Sequence, residues 1–149
     1  MLTRRAVIGS FLATPFLAPQ LLAETPVVFS QHGLALGGSD PVAYFRKGKV
    51  VAGHAGLTVM WRGAVWCFES PASRDAFERN PRAFAPQYGG YCAMALTQGV
   101  LAPSDPEAWA IHEDRLYLNH SMAARERWLS DPATHIRMAD QNWSSVLNG

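Results

Sequence analysis

The chain has 149 residues, 48% of them apolar and 17% charged. That balance excludes a disordered tail, a collagen-like repeat and a bundle of membrane helices, and fits one globular domain. The net charge of +1 includes Arg4 and Arg5; the remainder carries 11 basic against 12 acidic side chains, a net −1, and its one close basic group is Arg46, Lys47 and Lys49. Three such residues do not make the basic stripe that neutralises phosphates, so no nucleic-acid partner is expected.

Thr3, Arg4 and Arg5 precede an uncharged run rich in Leu, Ala and Phe, residues 6–22, and then the small residue Ala23. This is the layout of a secretory signal, and the paired arginines point to the twin-arginine route. Pro15 and Pro19 interrupt a run of 17 residues, whereas a membrane span wants about 20. Residues 1–23 are therefore read as a cleavable signal, and residues 24–149 as a periplasmic domain with no stable membrane span. Leu21 stands where a small residue is preferred, so a retained tether is the other reading of the cleavage site. By resemblance to other proteins exported this way, the route implies a chain already folded, often around a cofactor.

All five tryptophans lie beyond the signal, enough aromatic surface for a core that needs no metal or disulfide. In chain order, Asp40-Pro41 is expected to cap and open a short helix through Val42, Tyr44 and Phe45 that stops at Gly48. Residues 57–68 alternate as two strands: Leu57, Val59 and Trp61 share one face, Arg62 and Gly63 turn, and Ala64, Trp66 and Phe68 alternate again. Ser70-Pro71 opens a helix through Arg74, Ala76 and Phe77 that ends before Pro81. Asp105-Pro106 reads as a further cap-and-proline pair. A second hairpin is expected where Trp109 to His112 and Arg115 to Leu118 flank Glu113 and Asp114. Two helices close the chain, one carrying Met122, Arg125, Trp128 and Leu129, the other opened by Asp131-Pro132 and carrying Ile136, Ala139, Asp140 and Trp143. The predicted class is α+β, a single domain of small hairpins packed against short helices.

Asp40-Pro41-Val42, Phe68, Ser70, Phe77, Asn80-Pro81 and Phe84 stand at the spacing of a YHS domain, whose core runs Asp-Pro-Val-Cys, a hairpin, Phe-Cys-Ser-x-x-Cys-x-x-x-Phe and Asn-Pro-x-x-aromatic. The chain resembles that family over roughly residues 40–84. The family's three cysteine positions hold Ala43, Glu69 and Ser73, so the usual thiolate metal site is not expected here. The segments Ala85-Pro86-Gln87-Tyr88-Gly89-Gly90-Tyr91-Cys92-Ala93 and Asp105-Pro106-x-Ala108-Trp109 are similar to an exported branch known as YHS domain-containing (seleno)proteins. Leu116-Tyr117-Leu118-Asn119 and Ala139-Asp140-x-Asn142-Trp143 fit that branch as well.

Cys92 is the first candidate for chemistry. It follows two glycines whose amides can approach a ligand, and it stands where a helix start can support a thiolate. The resemblance implies selenocysteine in relatives, and Cys92 is the position we assign to it; a small buried thiol is the bland alternative. Tyr88, Gly89, Gly90 and Tyr91 form the candidate binding turn, with the two phenols walling a shallow pocket around Cys92. Met94, His120 and His54 are the candidate soft co-ligands, each weighed against plain packing or a solvated ring. Cys67, in a strand beside Trp66, is read as a core thiol, although an oxidising compartment permits a Cys67 to Cys92 disulfide.

Three functions follow: a non-enzymatic binding module holding a soft metal such as copper through Cys92, a thiol redox enzyme using Cys92, or a partner-binding domain with an inert cysteine. The first leads. No phosphate loop, dinucleotide fingerprint or Gly-x-Ser-x-Gly is found, and Asp75 and Glu78 are expected to stay solvated on a helix surface.

Overall fold

Among the described residues every α-helix but the single turn Pro81–Phe84 begins where a side chain accepts a first-turn N–H. The computed structural model describes residues 23–148, and the predicted signal, residues 1–22 above all, lies outside them. In α1 (Pro41–Arg46) Asp40 accepts from Val42 at 2.8 Å, and in α2 (Pro71–Arg79) Ser70 accepts from Ser73 at 3.1 Å. Single turns α3 (Pro81–Phe84) and α4 (Ala93–Leu96) follow. In α5 (Met122–Leu129) Ser121 accepts from Ala124, and in α6 (Pro132–Leu147) Asp131 accepts from Thr134, both at 3.2 Å. Proline fills the first turn of α1, α2 and α6, where its missing N–H costs nothing. α1 unwinds through Lys47 into Gly48 at φ 62°.

Strands β1 (Ser30–Gln31), β2 (Leu34–Ala35), β3 (His54–Trp61) and β4 (Ala64–Phe68) form a sheet in the order β1-β2-β4-β3, with β2 parallel to β4 and the other pairs antiparallel. β5 (Asp105–His112) and β6 (Arg115–Asn119) form a second, two-stranded sheet. Both predicted hairpins are present. Each turns on two left-handed residues, Arg62 (φ 50°) with Gly63 (φ 77°), and Glu113 (φ 48°) with Asp114 (φ 59°), the conformation that matches strand twist. The β1–β2 pair and α3 were not anticipated, and of α4 only its start at Cys92 was; each is too short to show a period.

Asp105-Pro106 corrects the sequence reading, because it lies in β5 and opens no helix. Asp105 does accept the Glu107 N–H at 2.9 Å, the local bond a cap makes. Burial of Ala108 and Ala110 on alternate positions then holds the chain extended against β6, with a register shift between Asp105 and Trp109.

The domain is α+β with two hydrophobic clusters. One gathers Tyr44, Trp66, Phe68 and Phe77, and the other Tyr88, Leu96, Trp128 and Ala139. β6 is the wall between them: its period of two sends Leu116 and Leu118 to the first cluster and Tyr117 to the second. Asp40, fully buried, ties the first cluster's polar edge, accepting from Val42 N–H, from Glu69 N–H at 3.0 Å and from the Ser73 hydroxyl. Among the described residues no helix is long and apolar enough to cross a membrane.

Candidate soft-ligand site at Cys92

The turn Gln87–Gly90 delivers Cys92 to its place. Tyr88 (φ 56°) and Gly89 (φ 60°) are both left-handed there. A Cβ on Gly89 would run into the Val27 carbonyl, so the close pass of the N-terminal segment requires glycine. Cys92 then donates its N–H to Ala102 O at 3.0 Å and bridges Leu118 of β6 in parallel register.

Cys92 is the cap of α4. Its Sγ accepts the Ala95 N–H at 3.4 Å and the His120 N–H at 3.2 Å, while Asn119 Oδ1 accepts the neighbouring Met94 N–H at 3.1 Å. Hydrogen bonds of this kind strengthen when the acceptor carries charge. Cys92 as a whole is 1% exposed, which on burial agrees with the small buried thiol weighed as the alternative reading. It forms part of the floor of an open depression of about 420 Å³, whose other walls include Met94, Gln98, His120, Ser121 and Arg127.

His120 projects an exposed ring whose Nδ1 lies 3.1 Å from Pro103 O. A carbonyl only accepts, so Nδ1 carries the proton in the neutral ring and Nε2 presents its lone pair. A backbone carbonyl fixing one imidazole nitrogen is also the usual support for a ligand at the other.

Three of the candidate ligands thus meet at one depression. The fourth does not: His54 opens β3 opposite Phe68 and takes no part in these walls. Tyr88 and Tyr91 do not wall Cys92 either. The Tyr88 hydroxyl donates to Asp140 at 2.8 Å and that of Tyr91 to Pro26 O at 2.8 Å, each drawn away by a partner distant in sequence. Burial pushes both phenols above the ordinary tyrosine value, with the Asp140 bond adding to it at Tyr88. The Gly89 and Gly90 carbonyls accept from Phe29 N–H and the Ser104 hydroxyl, bonds that fix the turn.

Cys67 and Cys92 are both free and buried, and the permitted disulfide is absent. Burial pushes the Cys67 thiol up, as expected of a core cysteine. The three positions where the family pattern has cysteine are engaged structurally: Ala43 is buried, Glu69 pairs with Lys47 at 2.6 Å, and Ser73 donates to Asp40. Asp75 and Glu78 are exposed on α2.

Arg127 was not anticipated at the site. Its spacing of three from buried Ala124, which also lines the depression, is the one sequence signal that places it on that face of α5. Among the described residues no group of three or more His, Cys, Asp and Glu could hold a metal, so a tetrahedral zinc centre does not fit. Cys92, Met94 and His120 line one depression, and thiol, thioether and imidazole are the donor types that suit a soft ion content with few ligands. The chain finds no match among family models, curated proteins or solved structures, so the YHS resemblance stands on the residues that carry it.

Proposed function

We propose that this protein is an exported, YHS-like module of a bacterial periplasm that holds a soft metal ion such as Cu(I) without catalysing a reaction. The observation that supports this reading is the convergence of Cys92, Met94 and His120 on one open depression, with His120 Nε2 free and Nδ1 tied back to Pro103 O. Thiolate and thioether sulfur select Cu(I) over harder ions, and imidazole completes a low-coordinate set. Bound there, the ion would be held for storage or delivery; the backbone donors Ala95 N–H and His120 N–H would hold the sulfur in place. Titration of the protein with Cu(I) against a competing chelator tests the reading. One tight equivalent is expected, weakened about 100-fold or more by Cys92→Ser and roughly tenfold by His120→Ala. Equal, weak uptake by wild type and Cys92→Ser removes the metal role.

A thiol redox role is the second reading, with Arg127 the one charged side chain that lines the depression beside Cys92 and His120. In that role the Cys92 sulfur attacks a disulfide, breaking its S–S bond and releasing one thiolate to leave a mixed disulfide, or attacks a peroxide, breaking its O–O bond and releasing water or an alcohol to leave a sulfenic acid. Alkylation kinetics separate the two. Redox use requires Cys92 to react faster than an ordinary free thiol; slower reaction leaves metal binding or an inert partner-binding domain.

A further inference from the structure

A second cleft, sharing no lining residue with the Cys92 depression, has a chemistry of its own. It encloses about 200 Å³ between the turn of Arg62 and Gly63, α3, the Gln87–Gly90 turn and α6. Its walls include Trp61, Trp66, Tyr88 and Trp143, and its two charged side chains are Arg62 and Arg82; no Asp or Glu lines it. The cleft therefore carries two positive charges on a domain whose residues after Ala23 sum to a net −1.

Neither arginine forms a salt bridge among the described residues. Glu113 and Asp114 share a neighbouring depression with Arg82 but stand beyond pairing distance. Arg62 is also unusual in its backbone. It holds the first position of a two-residue hairpin turn at φ 50°, a place that favours Asn, Asp or Gly. Its guanidinium sits 4.9 Å from the centre of the Trp61 ring, which orders the side chain while leaving its edge N–H donors free. Tyr88, the other non-glycine left-handed residue of this cleft, is locked by its bond to Asp140. Two left-handed residues thus stand at one cleft, beside guanidinium groups that form no salt bridge among the described residues.

We propose that this cleft binds a small aromatic carboxylate. Arg62 and Arg82 take the carboxylate, whose flat two-oxygen edge matches a guanidinium fork. The ring lies against the indoles of Trp61 and Trp143. The position of the cleft, between the cluster holding Trp66 and that holding Tyr88, is a common one for ligand sites. Inorganic phosphate shares the charge but lacks a body to fill the aromatic walls.

Titration of the protein with benzoate, followed by quenching of tryptophan fluorescence, tests the assignment. Benzoate is expected to saturate, with neutral benzamide, acetate and inorganic phosphate each at least about tenfold weaker. R62Q and R82Q should each weaken benzoate roughly tenfold, added salt should weaken it further, and C92S should leave it unchanged. Both arginines are exposed, so neither variant threatens the fold, and the ligand series needs no variant at all. Absence of saturation, benzamide or phosphate binding as well as benzoate, or full affinity in both R62Q and R82Q would overturn the proposal. Because C92S separates the two sites, failure here leaves the soft-metal reading untouched.

Discussion

The sulfur of Cys92 accepts the backbone N–H of His120 at 3.2 Å, so a thiol and an imidazole are joined through main chain at the corner where β6 ends and α4 begins. Under the proposed metal role, side chains tied back this way would lose little freedom on binding, which is the condition for a precise site. The same bond makes Cys92 a structural residue as well.

That double role separates two substitutions. Cys92→Ser retains an acceptor and a good cap, and should cost no more than about 1 kcal/mol. Cys92→Ala leaves the Ala95 and His120 N–H groups without their acceptor and should cost about 1–3 kcal/mol. Urea unfolding of the two variants checks this; equal stabilities would mean the sulfur's hydrogen bonds contribute nothing.

Asp40→Ala should be the most damaging single polar change in the first cluster. It orphans Val42 N–H, Glu69 N–H and the Ser73 hydroxyl at a fully buried position, with an expected loss of about 3 kcal/mol or more. Ser73→Ala removes one of those partners and should cost roughly 1 kcal/mol. A denaturant midpoint for Asp40→Ala close to that of Ser73→Ala would contradict the assignment of Asp40 as the shared acceptor.

Much of this was legible in the residues. Asp40, Ser70 and Asp131 are short acceptors followed by proline, and a local bond decided each helix start; two-fold alternation through Trp66 and Leu116 decided each hairpin. Asp105 showed the limit of such reasoning: it makes its local bond, yet pairing with β6 sets the backbone. The site was half legible. Cys92, Met94 and His120 could be named from their chemistry, but that they meet depends on β6 lying beside α4, a contact between segments far apart in sequence. Tyr88 and Tyr91 misled for the same reason, since Asp140 and Pro26 draw their hydroxyls elsewhere. Arg62 and Arg82 went unnoticed because a surface arginine has no meaning until the walls around it are known.

Gly89→Ala should cost more than Gly48→Ala. Both glycines are left-handed, but the added methyl meets the Val27 carbonyl at Gly89 and open space at Gly48. The strain alone is worth about 1 kcal/mol, and the clash should raise the cost at Gly89 to roughly 2–3 kcal/mol. Thermal unfolding compares them; equal shifts would mean the N-terminal segment does not press on this turn.

All four tyrosines have phenols pushed above their ordinary value of 10.0, burial being the first cause in each. Above that value the unfolded chain loses these protons while the folded one keeps them, so stability is complete below pH 10 and falls as pH rises beyond it. Denaturation midpoints from neutral to strongly alkaline pH should stay level and then decline above about pH 10. A midpoint that stays level into that range would contradict the burial of these phenols.

Copper-edge X-ray absorption on the protein loaded with one equivalent of Cu(I) addresses the metal site most directly. Sulfur and nitrogen scatterers together are expected around the ion, with sulfur diminished in Cys92→Ser and nitrogen diminished in His120→Ala. A shell of oxygen and nitrogen alone, or a spectrum unchanged by Cys92→Ser, would contradict the site.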